Sequence, residues 1–157
     1  MKSIRNVLIL MILCGALFTE TAWAQVSLST GETVYVPVYS NVYHGPKARP
    51  LEILAILSIR NTDPVYSLAV TTADYFNTKG TLVKHHLEKH LTLPPLGSAN
   101  FKVPEQDESG GAGASFIVRW HADTKINQPI IQAIMISTRS SLGISFICPG
   151  QIITEHK

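Results

Sequence analysis

The segment Lys84-His85-His86-Leu87-Glu88-Lys89-His90 gathers imidazoles and a carboxylate in one short stretch. Those ligand types suit zinc or copper. Spacing restricts the set. On a strand His86, Glu88 and His90 share a face, but each step of two residues covers ~6.6 Å, so His86 and His90 stand ~13 Å apart. One ion can then be shared by His86 and Glu88, with His121 joining from a neighbouring strand. His85 falls on the opposite face with Val83 and Leu87. On a helix His86 and His90 would meet at i, i+4. Gly80 and Pro94 leave room for little more than three turns, which favours a strand. A solvated strand face that happens to carry histidines is the simpler account. Zinc or copper binding by His86, Glu88, His90 and His121 is the alternative, and otherwise no cofactor is expected.

Tyr35, Tyr39 and Tyr43 form a second constellation. Alternation places all three on one face of the first strand, with Pro37 between them. Proline cannot donate to a ladder, so this strand sits at an edge or carries a bulge. Exposed tyrosines on an edge make a docking surface, because open backbone groups accept another strand and the rings have a polar tip. The competing account is that the rings cover the outer sheet or pack on the loop over 44–50.

Other chemistry is harder to assemble. The stretch from Glu105 to Gly113 is acidic and glycine-rich, yet no Lys then Ser or Thr follows its glycines as a phosphate cradle requires. Its carboxylates make a weak calcium cage, and it reads as a solvated loop. Ser140-Ser141 falls in a turn, and no G-x-S-x-G elbow exists. Asp74 and His121 are the remaining triad partners, and nothing in the sequence brings them together. No catalytic motif survives, so the chain is read as non-enzymatic.

The elements that position these residues are strands. Val34, Val36 and Val38 alternate with Tyr35, Pro37 and Tyr39. Leu51, Ile53, Ala55, Leu57 and Ile59 alternate with a face carrying Leu54 and Ile56, as a central strand does. Asn61-Thr62-Asp63-Pro64 turns the chain, and a strand over 66–76 follows. Asn77-Thr78-Lys79-Gly80 is a hairpin signal, with Gly80 free to take positive φ. Pro94-Pro95-Leu96-Gly97 breaks the next strand. Short strands follow over 99–103, 114–121, 130–138 and 142–146, with Phe116, Val118 and Trp120 on one face. Arg139-Ser140-Ser141 joins the last two, and Ile152 and Ile153 close the sheet. The pattern predicts an all-β chain folded as a single antiparallel β-sandwich, Ig-like in general architecture, with a barrel as runner-up.

The N-terminus, MKSIRNVLILMILCGALFTETAWAQ, reads as a signal peptide over 1–24. Lys2 and Arg5 precede an apolar run over 7–18, too short to span a ~30 Å hydrocarbon core. Ala22-Trp23-Ala24 offers small residues to a peptidase before Gln25. Bulky Leu13 before Cys14 argues against a lipoprotein. The expected mature chain, 25–157, is one domain without a transmembrane anchor, periplasmic or secreted. Cys148 is then its one cysteine and is expected to be buried and inert, an intermolecular bridge being the alternative. Charged residues are 15% of the chain and its net charge is +2. Removing Lys2, Arg5 and Glu20 leaves +1, too little basic excess for nucleic-acid binding.

The strings VYVPVYSNVYHG, LSIRNTDP, DYFNTKGTLV, LPPLG, GGAGASFIVRW and GISF stand in this order. Together they resemble a family of bacterial secreted proteins, Domain of Unknown Function 3124, from about Thr33 to Ile153. The resemblance implies a bacterial extracytoplasmic setting and no activity. The histidines of KHHLEKH depart from the family's pattern. The expected function is an extracytoplasmic, non-catalytic binding or assembly module for a protein or small ligand. The alternative is a periplasmic zinc or copper carrier using the 85–90 segment.

Overall fold

A computed structural model describes residues 27–138 and 143–156. The signal segment with Cys14 and the turn Arg139-Ser140-Ser141 with Leu142 lie outside them. Alternating burial builds the long strands. On β1 (Leu28–Val38) the inward row Val34, Val36 and Val38 is buried. On β4 (Leu54–Arg60), Ala55, Leu57 and Ile59 are inaccessible, while Leu54 and Ile56 are half-buried. On β9 (Ala114–Asn127) the inward row is Phe116, Val118 and Trp120. Each matches the face that period-2 spacing assigned to it.

The remaining strands are β2 (Asn41–His44), β3 (Arg49–Glu52), β5 (Leu68–Phe76), β6 (Leu82–His85), β7 (Leu91–Leu93), β8 (Ser98–Val103), β10 (Ile130–Ser137), β11 (Ile144–Pro149) and β12 (Gln151–Glu155). One sheet runs β12-β1-β9-β5-β6, with β7 also on β5, and a second runs β11-β10-β4-β8. A separate hairpin pairs β2 with β3. The pairings are antiparallel. The fold is an all-β sandwich, and neither sheet closes into a barrel. β4 is central, between β10 and β8, and Ile152 and Ile153 do extend a sheet, as part of β12 on β1. Among the described residues no helix is long and apolar enough to cross a membrane.

After β11 the chain passes from one sheet to the other at close quarters. β11 belongs to one sheet and β12 to the other, with Gly150 between them. Gly150 N donates to Ile131 O at 2.8 Å. A Cβ there would stand 2.6 Å from Val34 Cγ1 and 2.7 Å from Ile131 O, so only glycine lets the chain pass between the sheets this tightly.

Each end of the sandwich is tied by polar groups. At one end Asn61 Nδ2 donates to Tyr66 O at 2.8 Å and Pro94 O at 3.0 Å. Asp63 accepts from the Val65 and Tyr66 amides, both at 2.9 Å, and from Asn127 N at 3.1 Å. These backbone donors, Tyr66 first, hold the Asp63 carboxyl below its ordinary range. The stretch read as a plain turn therefore fastens three loops together. At the other end Thr78 N donates to Gly110 O at 2.9 Å, and Ser40 N to Gly111 O at 3.1 Å. Ser40 Oγ and Tyr75 OH share a hydrogen bond of 2.7 Å. The glycine-rich stretch is the expected loop, with Gln106, Glu108 and Ser109 exposed, except that Gly110 is buried against Tyr75. Neutral glycine is the only residue that fits, because every larger one meets the ring.

A Cβ at Gly110 would stand 1.8 Å from Tyr75 OH and 2.7 Å from Ser40 Oγ. Gly110→Ala is therefore expected to lower the unfolding free energy by about 1–3 kcal/mol through overpacking. Urea denaturation followed by tryptophan fluorescence measures this. An unchanged midpoint would show that the loop does not pack on Tyr75.

Candidate functional site

The inward row of β1 begins one step before Val34, at Glu32. Parity puts its carboxylate on the core side, and it is 1% exposed. Glu32 stands opposite Trp120 in the β1–β9 register. Trp120 Nε1 donates to Glu32 Oε2 at 3.2 Å, and Gln128 Nε2 donates to Glu32 Oε1. Gln128 lies in the tight connection between β9 and β10. Its carbonyl accepts from Thr62 Oγ1 at 2.8 Å, and its amide donates to Ser27 O at 3.3 Å. The Asn61–Asp63 tie thus also places the side chain that serves Glu32.

Both donors to Glu32 are neutral. Among the described residues no basic side chain pairs with Glu32. A buried carboxylate strongly prefers compensation by donors or a counter-charge.

Glu32 lines an open cavity of about 260 Å³ at the side where the chain changes sheets. Val34, Ile131, Pro149, Gly150 and Ile152 form its apolar walls, with Gln128 and Gln132 as further polar groups. Ile130 and Ile152 also line it and are 49% and 40% exposed, which gives it an apolar rim. That size is near the lower end for small-molecule sites, and an apolar wall with few placed polar groups is their usual lining. The arrangement can hold a small molecule by contact with hydrocarbon and by acceptor bonds at Glu32. Sequence reasoning missed Glu32. The signal was present, because extending the Val34, Val36, Val38 alternation backwards puts a carboxylate on the core face.

The predicted metal ligands separate. Strand β6 ends at His85, and 86–90 is irregular rather than a strand continuation. His85 is exposed and its Nδ1 donates to Asp74 Oδ1 at 2.7 Å. His86 turns the other way, into Tyr75, Phe101 and Phe116, with ring centroids 5.3–6.4 Å away. Glu88 is exposed. His90 and His121 do meet, with ring centroids 6.4 Å apart. His121 also borders a smaller cavity of about 140 Å³ with Asp123 and Thr92. Among the described residues no three of His, Cys, Asp and Glu group closely enough to hold a metal ion.

The tyrosines do not share one strand face. Tyr35 is exposed on β1, between β12 and β9, so at this point β1 is interior to its sheet and not an edge. The register of β1 shifts at Thr33/Val34 and Ser29/Gly31, away from Pro37, so neither irregularity is the bulge that the proline called for. The β12 pairing stops at Tyr35, and Pro37 lies beyond it, where among the described residues no strand flanks that side of β1, so the proline does stand at an edge. Tyr39 follows the end of β1 and packs edge-on against Phe146 at 5.9 Å. Tyr43 is on the β2–β3 hairpin, 64% exposed. Cys148 packs against the core on the side alternation predicted, but it is half-buried rather than buried, and that partial burial pushes its thiol up.

His86 Nε2 is buried and has no hydrogen-bond partner among the described residues. Burial first, then the Lys84 charge, holds the imidazole below its ordinary 6.5, against the opposite pull of Asp107 and Asp74. The unfolded chain then binds a proton below about pH 6.5 that the folded chain does not. The stability contributed by neutral His86 is complete above that pH and is lost as pH falls towards the lowered folded value. His86→Phe is expected to flatten the decline of the urea midpoint from pH 7 to pH 5. An equal decline in both proteins would contradict a buried neutral imidazole.

The comparison with curated proteins found no match. The chain is similar to the crystal structure of Thermotoga maritima 1070, at 9% identity and a TM-score of 0.47, covering 76% of this chain and 92% of that one. A family model described as a protein of unknown function, DUF3124, matches residues 31–153, in line with the motifs of the strand core. The chain belongs to the DUF3124 family.

Proposed function

We propose that the protein is an extracytoplasmic, non-catalytic recognition module that takes a small ligand into the Glu32 cavity. The observation that carries this reading is a carboxylate, 1% exposed and bonded to neutral donors, lining an otherwise largely apolar opening. The lining supports a binding role over a catalytic one. Glu32 is its one titratable side chain, whereas acid–base and nucleophilic chemistry call on a second placed group. The tyrosines support a recognition surface less well, since Tyr35, Tyr39 and Tyr43 lie on three different segments.

A titration followed by ¹⁵N NMR tests the cavity directly. With a library of small neutral and charged fragments, binders are expected to move the amides of Val34, Gln128, Gln132 and Gly150 on a common isotherm. Responses scattered over the surface, or none, would contradict the reading.

Metal handling has one observation in its favour, the contact of His90 with His121. Both the setting and this second reading are open to one measurement, the native intact mass of the protein purified from a periplasmic extract. The proposed setting predicts a chain beginning at Gln25 without a lipid on Cys14. A full-length mass would contradict export, and a stoichiometric zinc or copper adduct lost in His121→Ala would favour the metal reading over the cavity.

A further inference from the structure

We infer that the ligand of the Glu32 cavity is a small organic cation, an alkylammonium head on a short hydrocarbon body. The inference rests on the cavity being a recognition site, and it adds the chemical class that the site takes.

Charge makes the first argument. Glu32 is 1% exposed, and its hydrogen-bond partners, Trp120 Nε1 and Gln128 Nε2, are neutral donors. A carboxylate offers about four lone-pair sites, and each oxygen here has accepted one hydrogen bond. Acceptor capacity therefore remains on a group that lines the cavity. An ammonium brings donors and the missing counter-charge together, and charge-assisted hydrogen bonds are roughly twice as strong as neutral ones. An anion would be repelled from the same position, and an alcohol would supply a hydrogen bond without the charge.

Shape makes the second. Val34, Ile131, Pro149 and Ile152 present hydrocarbon, and exposed Ile130 and Ile152 carry it to the rim. A volume of about 260 Å³ accommodates a short chain and not a large ring system. Gly150 contributes by absence of a side chain, since the crossing already stands against Val34 and Ile131. The other polar lining groups, Gln128 and Gln132, are uncharged amides and do not compete for the carboxylate as a cation would.

Trp120 Nε1 reports on the site because it is bonded to Glu32. The test follows the Trp120 indole N–H in ¹⁵N spectra of the protein, assigned by triple-resonance correlation. The probes are n-butylammonium, n-butanol, butyrate and Nα-acetyl-lysine methylamide. n-Butylammonium is expected to move the resonance saturably, with at least a tenfold loss of affinity in Glu32→Gln. n-Butanol and butyrate are expected to leave it in place. An equal response to n-butanol would overturn the cation class while leaving small-ligand binding intact. No response to any probe, here or at the cavity amides, would overturn the recognition site itself. Binding of the lysine derivative tenfold tighter than n-butylammonium would overturn the free-amine assignment and place the cation on a protein side chain. Should Glu32→Gln not fold, the contrast of ammonium with alcohol on the unaltered protein still decides the matter.

Discussion

A carboxylate cannot be left inside a β-sandwich without donors. Glu32 is in that position because β1 keeps its period, so the row that buries Val34, Val36 and Val38 buries Glu32 as well. The surroundings answer the constraint. Trp120, its cross-strand neighbour on β9, turns its indole N–H to one oxygen. Gln128 turns its amide to the other, from a connection held by Thr62 and Ser27. The largest core side chain, a connection and the first strand are thereby bound to one group.

The frame around that group is fixed at both ends and open at one side. Asn61 and Asp63 fasten the β4–β5, β7–β8 and β9–β10 connections at one end. Ser40, Tyr75, Thr78 and the buried Gly110 fasten the other. The side where β11 passes to β12 is different. Gly150 keeps the backbone close to Val34 and Ile131, and the cavity lies beside that crossing. A frame tied in this way beside a small opening suits preorganised binding, since less conformational freedom is left to lose on capture.

Much of the strand architecture was legible locally. Alternation assigned the buried faces of β1, β4 and β9, and Asn77 to Gly80 formed the expected turn, with Gly80 at φ 73°. What was not legible depends on partners distant in the chain. The 86–90 segment was read as strand because nothing local shows that His86 finds an aromatic pocket made by Tyr75, Phe101 and Phe116. Gly110 looked solvated because Tyr75 and Thr78, which hold its loop, stand more than thirty positions away. Tyr39 and Tyr43 left the face of Tyr35 because β1 ends at Val38. Glu32 was within reach of the pattern, but its meaning came from Trp120 and Gln128, which only pairing brings to it.

The functional account joins these points. The proposed capture of a small molecule rests on one observation, a buried acid lining a largely apolar opening. The position of a bound probe relative to the acid tests that account most directly. A crystal structure of the protein grown with n-butylammonium is predicted to show the nitrogen within hydrogen-bond reach of the Glu32 carboxylate and the alkyl chain against Val34 and Ile131. Ordered water alone in the cavity, with the probe elsewhere or absent, would contradict it.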